Sequence, residues 1–416
     1  MKTQYFSLGL VLLTTISYPQ KLRAEVIPIR DRFILGYRQS EPLKIDSISA
    51  SDSYDRGNAF LRSQKYHKAL AAYNRAIELN PNYYYAWWGK GYALQELARH
   101  AEALAAYERA TAIYSKDAKL WFAKGYLLYE VKQYNEAIAA YNRVIELQPD
   151  YDLAWYNRGT AFKRLKQYSK AVESYDRAIA IDPENGDFWY SRGNALVMLN
   201  RYSEAIESYQ QAIAINPKDF VAWNKQGRVL YHLEKYAAAE EAYRQAIEIN
   251  PDYISVWQNL GKALYYQQKY EPAIAAFNRV IKVNPSHTDA WAYRGDAFYY
   301  LESYQQAIAN YDRAIAIDDG DIYLWIYRGN ALGRLKQYER ALEAYNRAIE
   351  IDSQNAFAWF NRGLTLSRLG KYGEAVESYD RGLIIEPNNT QAIRQRQKTL
   401  ILKERQYTRR IVSMTN

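Results

Sequence analysis

The amino-acid sequence predicts an all-α solenoid of about ten stacked helix-turn-helix units, and three periodicities carry that prediction. Trp87, Trp121, Trp155, Trp189, Trp223, Trp257, Trp291, Trp325 and Trp359 stand 34 residues apart without an insertion. A glycine follows each by four residues, from Gly91 to Gly363, and Gly57 extends the register one unit earlier, where Ser53 replaces the Trp. Alanines recur in phase from Ala69 to Ala375, and four residues after each comes a tyrosine, Tyr73 to Tyr379, with Phe277 as the one exchange.

Composition narrows the chemistry before any element is placed. With 416 residues, 49% hydrophobic and 24% charged, the chain is too apolar for general disorder. The absence of cysteine excludes disulfides, thiolate metal sites, iron-sulfur clusters, a cysteine nucleophile and a lipidated N-terminal cysteine. Only His67, His100, His232 and His287 occur, scattered along the chain, which argues against a histidine-built metal or catalytic centre. The net charge of +9 sits at the ends: residues 1–49 carry +3, residues 388–416 carry +6, and 50–387 hold 41 basic and 41 acidic residues. A neutral body cannot track phosphates, so nucleic-acid binding through stacked aromatics and basic ends remains the weaker alternative.

Residues 1–24 open with Lys2, continue with a mostly apolar stretch from Tyr5 to Tyr18, and close with Pro19, Lys21 and Arg23. That stretch is shorter than the ~20 residues a membrane span needs and sits where a secretory signal belongs. The expectation is a signal peptide cleaved after Ser17 or Ala24, with an uncleaved membrane anchor as the alternative. The protein is then expected to be exported (periplasmic) or membrane-anchored, with a cytoplasmic protein whose apolar start is accidental as the weaker alternative. Residues 25–49, with Pro28, Pro42, Ser47 and Ser49, read as a linker.

Ten units fit between residues 50 and 389. In residues 186–217 the run Trp189, Ala195, Leu196, Leu199 has helical spacing, Arg201 and Tyr202 make a turn, and Ile206, Tyr209, Ile213 repeat the pattern until Pro217 ends it. Glycine inside a helix costs about 0.5–1 kcal/mol, so ten in register predict two backbones too close for a side chain, with the alanine facing. After Pro387 the phase continues through Ala392, Ile393, Leu400 and Ile401 without Gly or Trp. Residues 390–416 are therefore expected to form a basic capping helix whose Arg and Lys are a solvated face or an anion-binding patch.

These phases resemble the tetratricopeptide repeat (TPR) family, whose 34-residue unit carries Trp, Gly, Ala, aromatic, Ala and Pro at the same places, in a form similar to bacterial, particularly cyanobacterial, arrays. The resemblance covers about four-fifths of the chain. It implies a right-handed superhelix of helix pairs whose first helices line a concave groove that holds peptides or proteins. His100 departs from the tyrosine found at the turn phase in the other units, such as Tyr66 and Tyr134.

On that basis the groove candidates are Tyr85, Trp88, Tyr92, Phe122, Tyr126, Tyr129, Tyr156, Tyr190, Tyr231, Tyr265, Tyr266, Tyr299, Tyr300, Tyr323 and Phe360, with Arg334 and Arg368 late in the array. Tyrosine and tryptophan offer large contact area and a polar handle at small entropic cost. Charges at these phases are mixed, Lys163, Lys262, Arg334 and Arg368 against Glu96, Glu130, Asp289 and Asp296. The carboxylate clamp of chaperone-binding TPR domains is not carried over, because the phase of its first lysine holds no lysine and only Asn58, Asn194 and Asn330 match. No phosphate loop, dinucleotide fingerprint or metalloprotease motif is present. The expectation is a non-catalytic scaffold for a protein partner, assisting assembly of a complex, with no cofactor and no nucleic acid; an accessory subunit of a cell-envelope enzyme is a further alternative. The N-terminus offers a route to a membrane.

Overall fold

The computed structural model describes residues 49–415; the expected signal segment and nearly all of the expected linker lie outside them. Among the described residues there are twenty-one α-helices and no strand, and none of the helices is long and apolar enough to cross a membrane. They fall into two compact units, one ending at Ile215 and one beginning at Asn216.

In the first unit the leading helix of each pair is α1 (Ala50–Arg62), α3 (Tyr84–Glu96), α5 (Ala118–Glu130), α7 (Asp152–Arg164) or α9 (Gly186–Met198). Their partners are α2 (Tyr66–Leu79), α4 (His100–Ile113), α6 (Tyr134–Leu147), α8 (Tyr168–Ile181) and α10 (Tyr202–Ile215). The second unit repeats the arrangement with α11 (Phe220–His232), α13 (Ile254–Tyr266), α15 (Thr288–Tyr300), α17 (Ile322–Arg334) and α19 (Ala356–Arg368) leading. The partners there are α12 (Tyr236–Ile249), α14 (Tyr270–Val283), α16 (Tyr304–Ile317), α18 (Tyr338–Ile351) and α20 (Tyr372–Ile385), and α21 (Thr390–Thr415) closes the chain.

Leading helices stop by a left-handed residue. Asn200, Glu234, Gln268, Glu302 and Lys336 have φ between 57° and 62°, and only Gly370 of this phase is a glycine. The next N–H then turns back to the helix, as in Arg201 N–H to Leu196 O at 3.0 Å and Lys235 N–H to Leu230 O at 2.9 Å, satisfying carbonyls that would otherwise face outward. Tyr202, expected in the turn, is instead the first residue of α10, because the left-handed Asn200 completes the reversal within three residues.

The tryptophan phase locks the opposite turn. Each indole N–H donates to the backbone carbonyl six residues earlier, for example Trp189 to Pro183 at 2.9 Å, Trp257 to Pro251 at 2.8 Å and Trp325 to Asp319 at 2.9 Å. A carbonyl is needed, not a proline ring, which is why Ser115, Asp319 and Ser353 serve equally.

The glycine phase corrects the sequence reading. A Cβ on Gly193 would stand 2.8 Å from the ring of Tyr209, on Gly261 2.7 Å from Phe277 and on Gly329 2.6 Å from Tyr345. The close approach is therefore of a helix backbone to an aromatic ring, joined at Gly159 by the Ala171 carbonyl oxygen at 3.1 Å. Those rings are buried, and the hydroxyls of the tyrosines among them need a partner. Tyr73, Tyr209 and Tyr345 donate to Asn58, Asn194 and Asn330 at 2.8, 3.0 and 2.8 Å, which accounts for the asparagine phase.

An arginine three residues after the Trp ties neighbouring pairs together. Arg192 donates to Asp176 at 2.5 Å and Ser208 at 2.7 Å; Arg294 donates to Asn278 at 2.5 Å and Asn310 at 2.6 Å while stacking 4.4 Å from the Trp291 ring. Arg396 of α21 makes the same contact with Asp380, and Ala392 and Thr399 are buried, so α21 takes the place of a leading helix.

Gly193→Ala is expected to destabilise the protein by about 1–3 kcal/mol through overpacking against Tyr209. Gly333→Ala, where nothing lies within 4 Å of the new methyl, is expected to stabilise it by up to about 1 kcal/mol. Denaturant unfolding of both variants checks this, and a Gly193→Ala protein as stable as wild type contradicts the packing account.

Candidate functional site

The structure divides the aromatic candidates into two groups. Trp88, Phe122, Tyr129 and Tyr156 are buried and belong to the packing between pairs, not to a surface. Phe122 stacks 5.1 Å from Tyr151 and lies 5.7 Å from the core ring of Tyr141; Tyr156 lies 5.0 Å from Phe188 and 5.7 Å from Tyr175. The residue after the Trp thus points between its own partner helix and the start of the next leading helix. Tyr190 follows the same rule, half-buried and 6.0 Å from Tyr209. Tyr129 sits 5.3 Å from Tyr134 and accepts from the Arg164 Nε–H at 3.0 Å. Tyr85, Tyr92 and Tyr126 are half-buried in the first unit, Tyr85 stacking at 4.0 Å on Tyr84. Phe360, in α19, is half-buried.

In the second unit the tyrosines converge. In α13, α15 and α17 the last residue of the leading helix lies on the first residue of the preceding partner helix: Tyr266 on Tyr236 at 5.2 Å and 14°, Tyr300 on Tyr270 at 5.2 Å and 6°, and the Arg334 guanidinium on Tyr304 at 5.2 Å. Tyr231, Tyr265 and Tyr299, one position earlier, meet the same rings edge-on at 5.4, 5.9 and 5.4 Å. Cross-contacts Tyr231–Tyr266 at 5.8 Å and Tyr265–Tyr300 at 6.0 Å join successive pairs into one cluster. Edge-to-face and offset-stacked pairs of this kind each add about 0.5–1.5 kcal/mol beyond area burial. The rims remain open: Tyr266 is 40% exposed, Tyr300 54% and Tyr323 53%. Arg368 is also exposed, at the Arg334 phase of α19.

Tyr236, Tyr270 and Tyr304, which share the turn phase of Tyr66 and Tyr134, are half of each stack, and Tyr293 and Tyr327 join the rings from outside the expected groove phases. The paired tyrosines at 265–266 and 299–300, each 30 residues past a turn tyrosine, are the signal that identifies them. Tyr293 lies 5.5 Å from Tyr265, under the Lys262 ammonium at 4.8 Å, and Lys262 is paired with Asp289 at 3.0 Å.

Asp296 stands at the asparagine phase of α15. Its Oδ1 accepts from the Tyr311 hydroxyl at 2.7 Å, and burial nevertheless pushes its carboxyl up to about 7. Burial first, then the Asp296 charge, drives the hydroxyls of Tyr265, Tyr311 and Tyr327 well above the ordinary phenol range. Tyr231 and Tyr293 are raised by burial and by neighbouring tyrosines. These phenols stay protonated at neutral pH, so the cluster offers hydrogen-bond donors and aromatic faces around one carboxylate. Among the described residues no group of three or more His, Asp or Glu is placed to hold a metal ion.

Family models described as Tetratricopeptide repeat match residues 54–118, 158–220, 190–254 and 259–322, together more than half of the chain, and also residues 356–389. One described as TPR repeat matches residues 125–166 and 329–370. No curated protein sequence matches the chain. Among solved structures, the C-terminal part of a TPR repeat-containing protein from Cytophaga hutchinsonii is similar over 57% of this chain and 98% of its own, at 15% identity and a TM-score of 0.51, a likeness of fold. YrrB, described as a TPR protein with an unusual peptide-binding site, matches over 45% of this chain and 96% of its own, at 25% identity and a TM-score of 0.41.

The raised carboxyl has a consequence for stability. Between the ordinary value of 3.8 and about 7 the folded chain keeps a proton on Asp296 that the unfolded chain has released, so the stability this group contributes is present below pH 3.8 and lost as pH rises towards 7. Asp296→Asn keeps an acceptor for Tyr311, as Asn330 does for Tyr345. Its melting temperature is expected to exceed that of wild type by more at pH 8 than at pH 4, and an equal gap at both contradicts the assignment.

Proposed function

The chain belongs to the tetratricopeptide repeat family, and from that premise we propose that its second unit holds an extended segment of a partner protein against the tyrosine cluster of α11–α17. The family fold supplies a protein-protein interaction scaffold. The observation that carries the finer reading is the pair of stacks Tyr236–Tyr266 and Tyr270–Tyr300, which hold large amphipathic rings in fixed orientation while leaving Tyr266 and Tyr300 open to solvent. Rings already ordered by their neighbours lose little freedom on binding, so more of the contact energy becomes affinity. Lys262, Asp289, Asp296 and Arg334 place both signs of charge along this surface, which gives a bound segment a direction. Tyr85, Tyr92, Tyr126 and Tyr190 would extend recognition to the first unit.

The apolar run from Tyr5 to Tyr18 supports export or membrane tethering as the setting, in which the scaffold assists assembly of an envelope or membrane complex. Protease accessibility in osmotically opened cells tests the location, and complete protection by the inner membrane contradicts it.

Tagged full-length protein, beside a variant with Tyr265, Tyr266, Tyr299 and Tyr300 changed to Ala, tests the groove. A partner retained by wild type and lost from the variant, whose helicity and melt remain cooperative, is the expected result; the partner is then trimmed to the segment that titrates against wild type alone. Identical retention by both forms places binding elsewhere.

A further inference from the structure

Asp296 places an ionisable carboxyl where the fold needs only a neutral acceptor. At three other units the same tyrosine hydroxyl is satisfied by a neutral asparagine: Asn58 with Tyr73, Asn194 with Tyr209 and Asn330 with Tyr345. Asp296 meets Tyr311 in the same way, at 2.7 Å, so an amide would serve the core as well. Among the described residues no Lys, Arg or His lies within ion-pair distance of its carboxylate. The cations of the cluster are committed elsewhere, Lys262 to Asp289 at 3.0 Å and Arg334 to the Tyr304 ring at 5.2 Å. A half-buried carboxylate without a cation is costly, and one that the packing does not require is a candidate for function.

Its surroundings specify the counter-charge. Tyr300 and Tyr293 share α15 with Asp296; Tyr265 of α13 lies 5.5 Å from Tyr293 and 6.0 Å from Tyr300, and Tyr327 of α17 lies 6.1 Å from Tyr311, whose hydroxyl donates to Asp296. Tyrosine faces attract cations, and this cluster already holds one, the Lys262 ammonium 4.8 Å from the Tyr293 ring. Asp296 remains partly open to solvent, and Tyr300 beside it is more than half exposed. We propose that Asp296, with Tyr265, Tyr293, Tyr300 and Tyr327, forms a subsite for an arginine or lysine side chain of the bound segment, the carboxylate supplying the ion pair and the rings the walls. This deepens the groove reading and rests on it.

The test is selection of binders to the full-length protein from a random displayed-peptide library, followed by calorimetry on the enriched peptides. Wild type is expected to enrich peptides with Arg or Lys at one fixed position. Replacing that Arg with citrulline, which keeps the shape and removes the charge, should weaken binding at least about tenfold, a difference of the size one desolvated ion pair supplies. Asp296→Asn, which retains the Tyr311 hydrogen bond, should bind the arginine and citrulline peptides alike. Enrichment without a cation, equal affinity for the two peptides on wild type, or discrimination surviving in Asp296→Asn would each overturn the subsite. A Tyr265→Ala, Tyr300→Ala double variant separates the two layers: if it loses the peptides while charge discrimination is absent, the groove stands and the cation subsite falls. If it binds them as wild type does, or if no peptide is enriched, the groove reading falls and the subsite with it.

Discussion

Everything repeated in this chain depends on one contact, the seating of an aromatic ring from a partner helix directly on the backbone of its leading helix. With 2.5 to 2.8 Å between an added Cβ and the ring at Gly57, Gly193, Gly261 and Gly329, no residue larger than glycine fits without displacing the ring. The alanine one turn before the aromatic is fully buried as well, so the two helices close on a stripe of small residues. This fixes the spacing within a pair. The indole N–H to the previous turn and the arginine bridges then fix one pair on the next. Once both spacings are set, the ends of the leading helices come to lie over the starts of earlier partner helices, and the tyrosine stacks follow from that placement.

The periodicity was fully legible because each of these contacts falls at a fixed phase, and phase is what a sequence displays. What it does not display is which atoms meet. Ten glycines in register announced a close approach, yet a backbone neighbour and a ring neighbour leave the same trace; only Tyr209 over Gly193 separates them. Phe122 and Tyr156 lie on leading helices directly after a phase tryptophan, and their burial depends on Tyr151 and Phe188, which arrive from the following turn. The left-handed turn residues were hidden for a different reason. Nine of the ten are not glycine, so the usual marker of positive φ is missing and the strain is borne by the tightly held helices on either side.

Departures from the repeat are where chemistry becomes local. Lys262 occupies the phase at which other units place an acceptor for the core hydroxyl, and the ring fifteen residues later is Phe277, which has no hydroxyl to satisfy. Asp296, one unit on, restores an acceptor but adds a charge, and the tyrosines around it keep their protons because burial and that charge both oppose ionisation. Lys262 and Asp296 thus put a cationic and an acidic side chain at this phase in adjacent units, within the same tyrosine cluster. A binding surface built this way inherits rigidity from the repeat and specificity from its exceptions.

Photo-crosslinking in living cells tests most directly whether a partner segment lies on this cluster. A benzophenone amino acid in place of Tyr300, on the cluster rim, is compared with the same residue in place of Arg313, exposed on α16. The account predicts a discrete crosslinked partner from position 300 and none from position 313. A partner captured from position 313 and absent from position 300 would place recognition on the partner helices and contradict it.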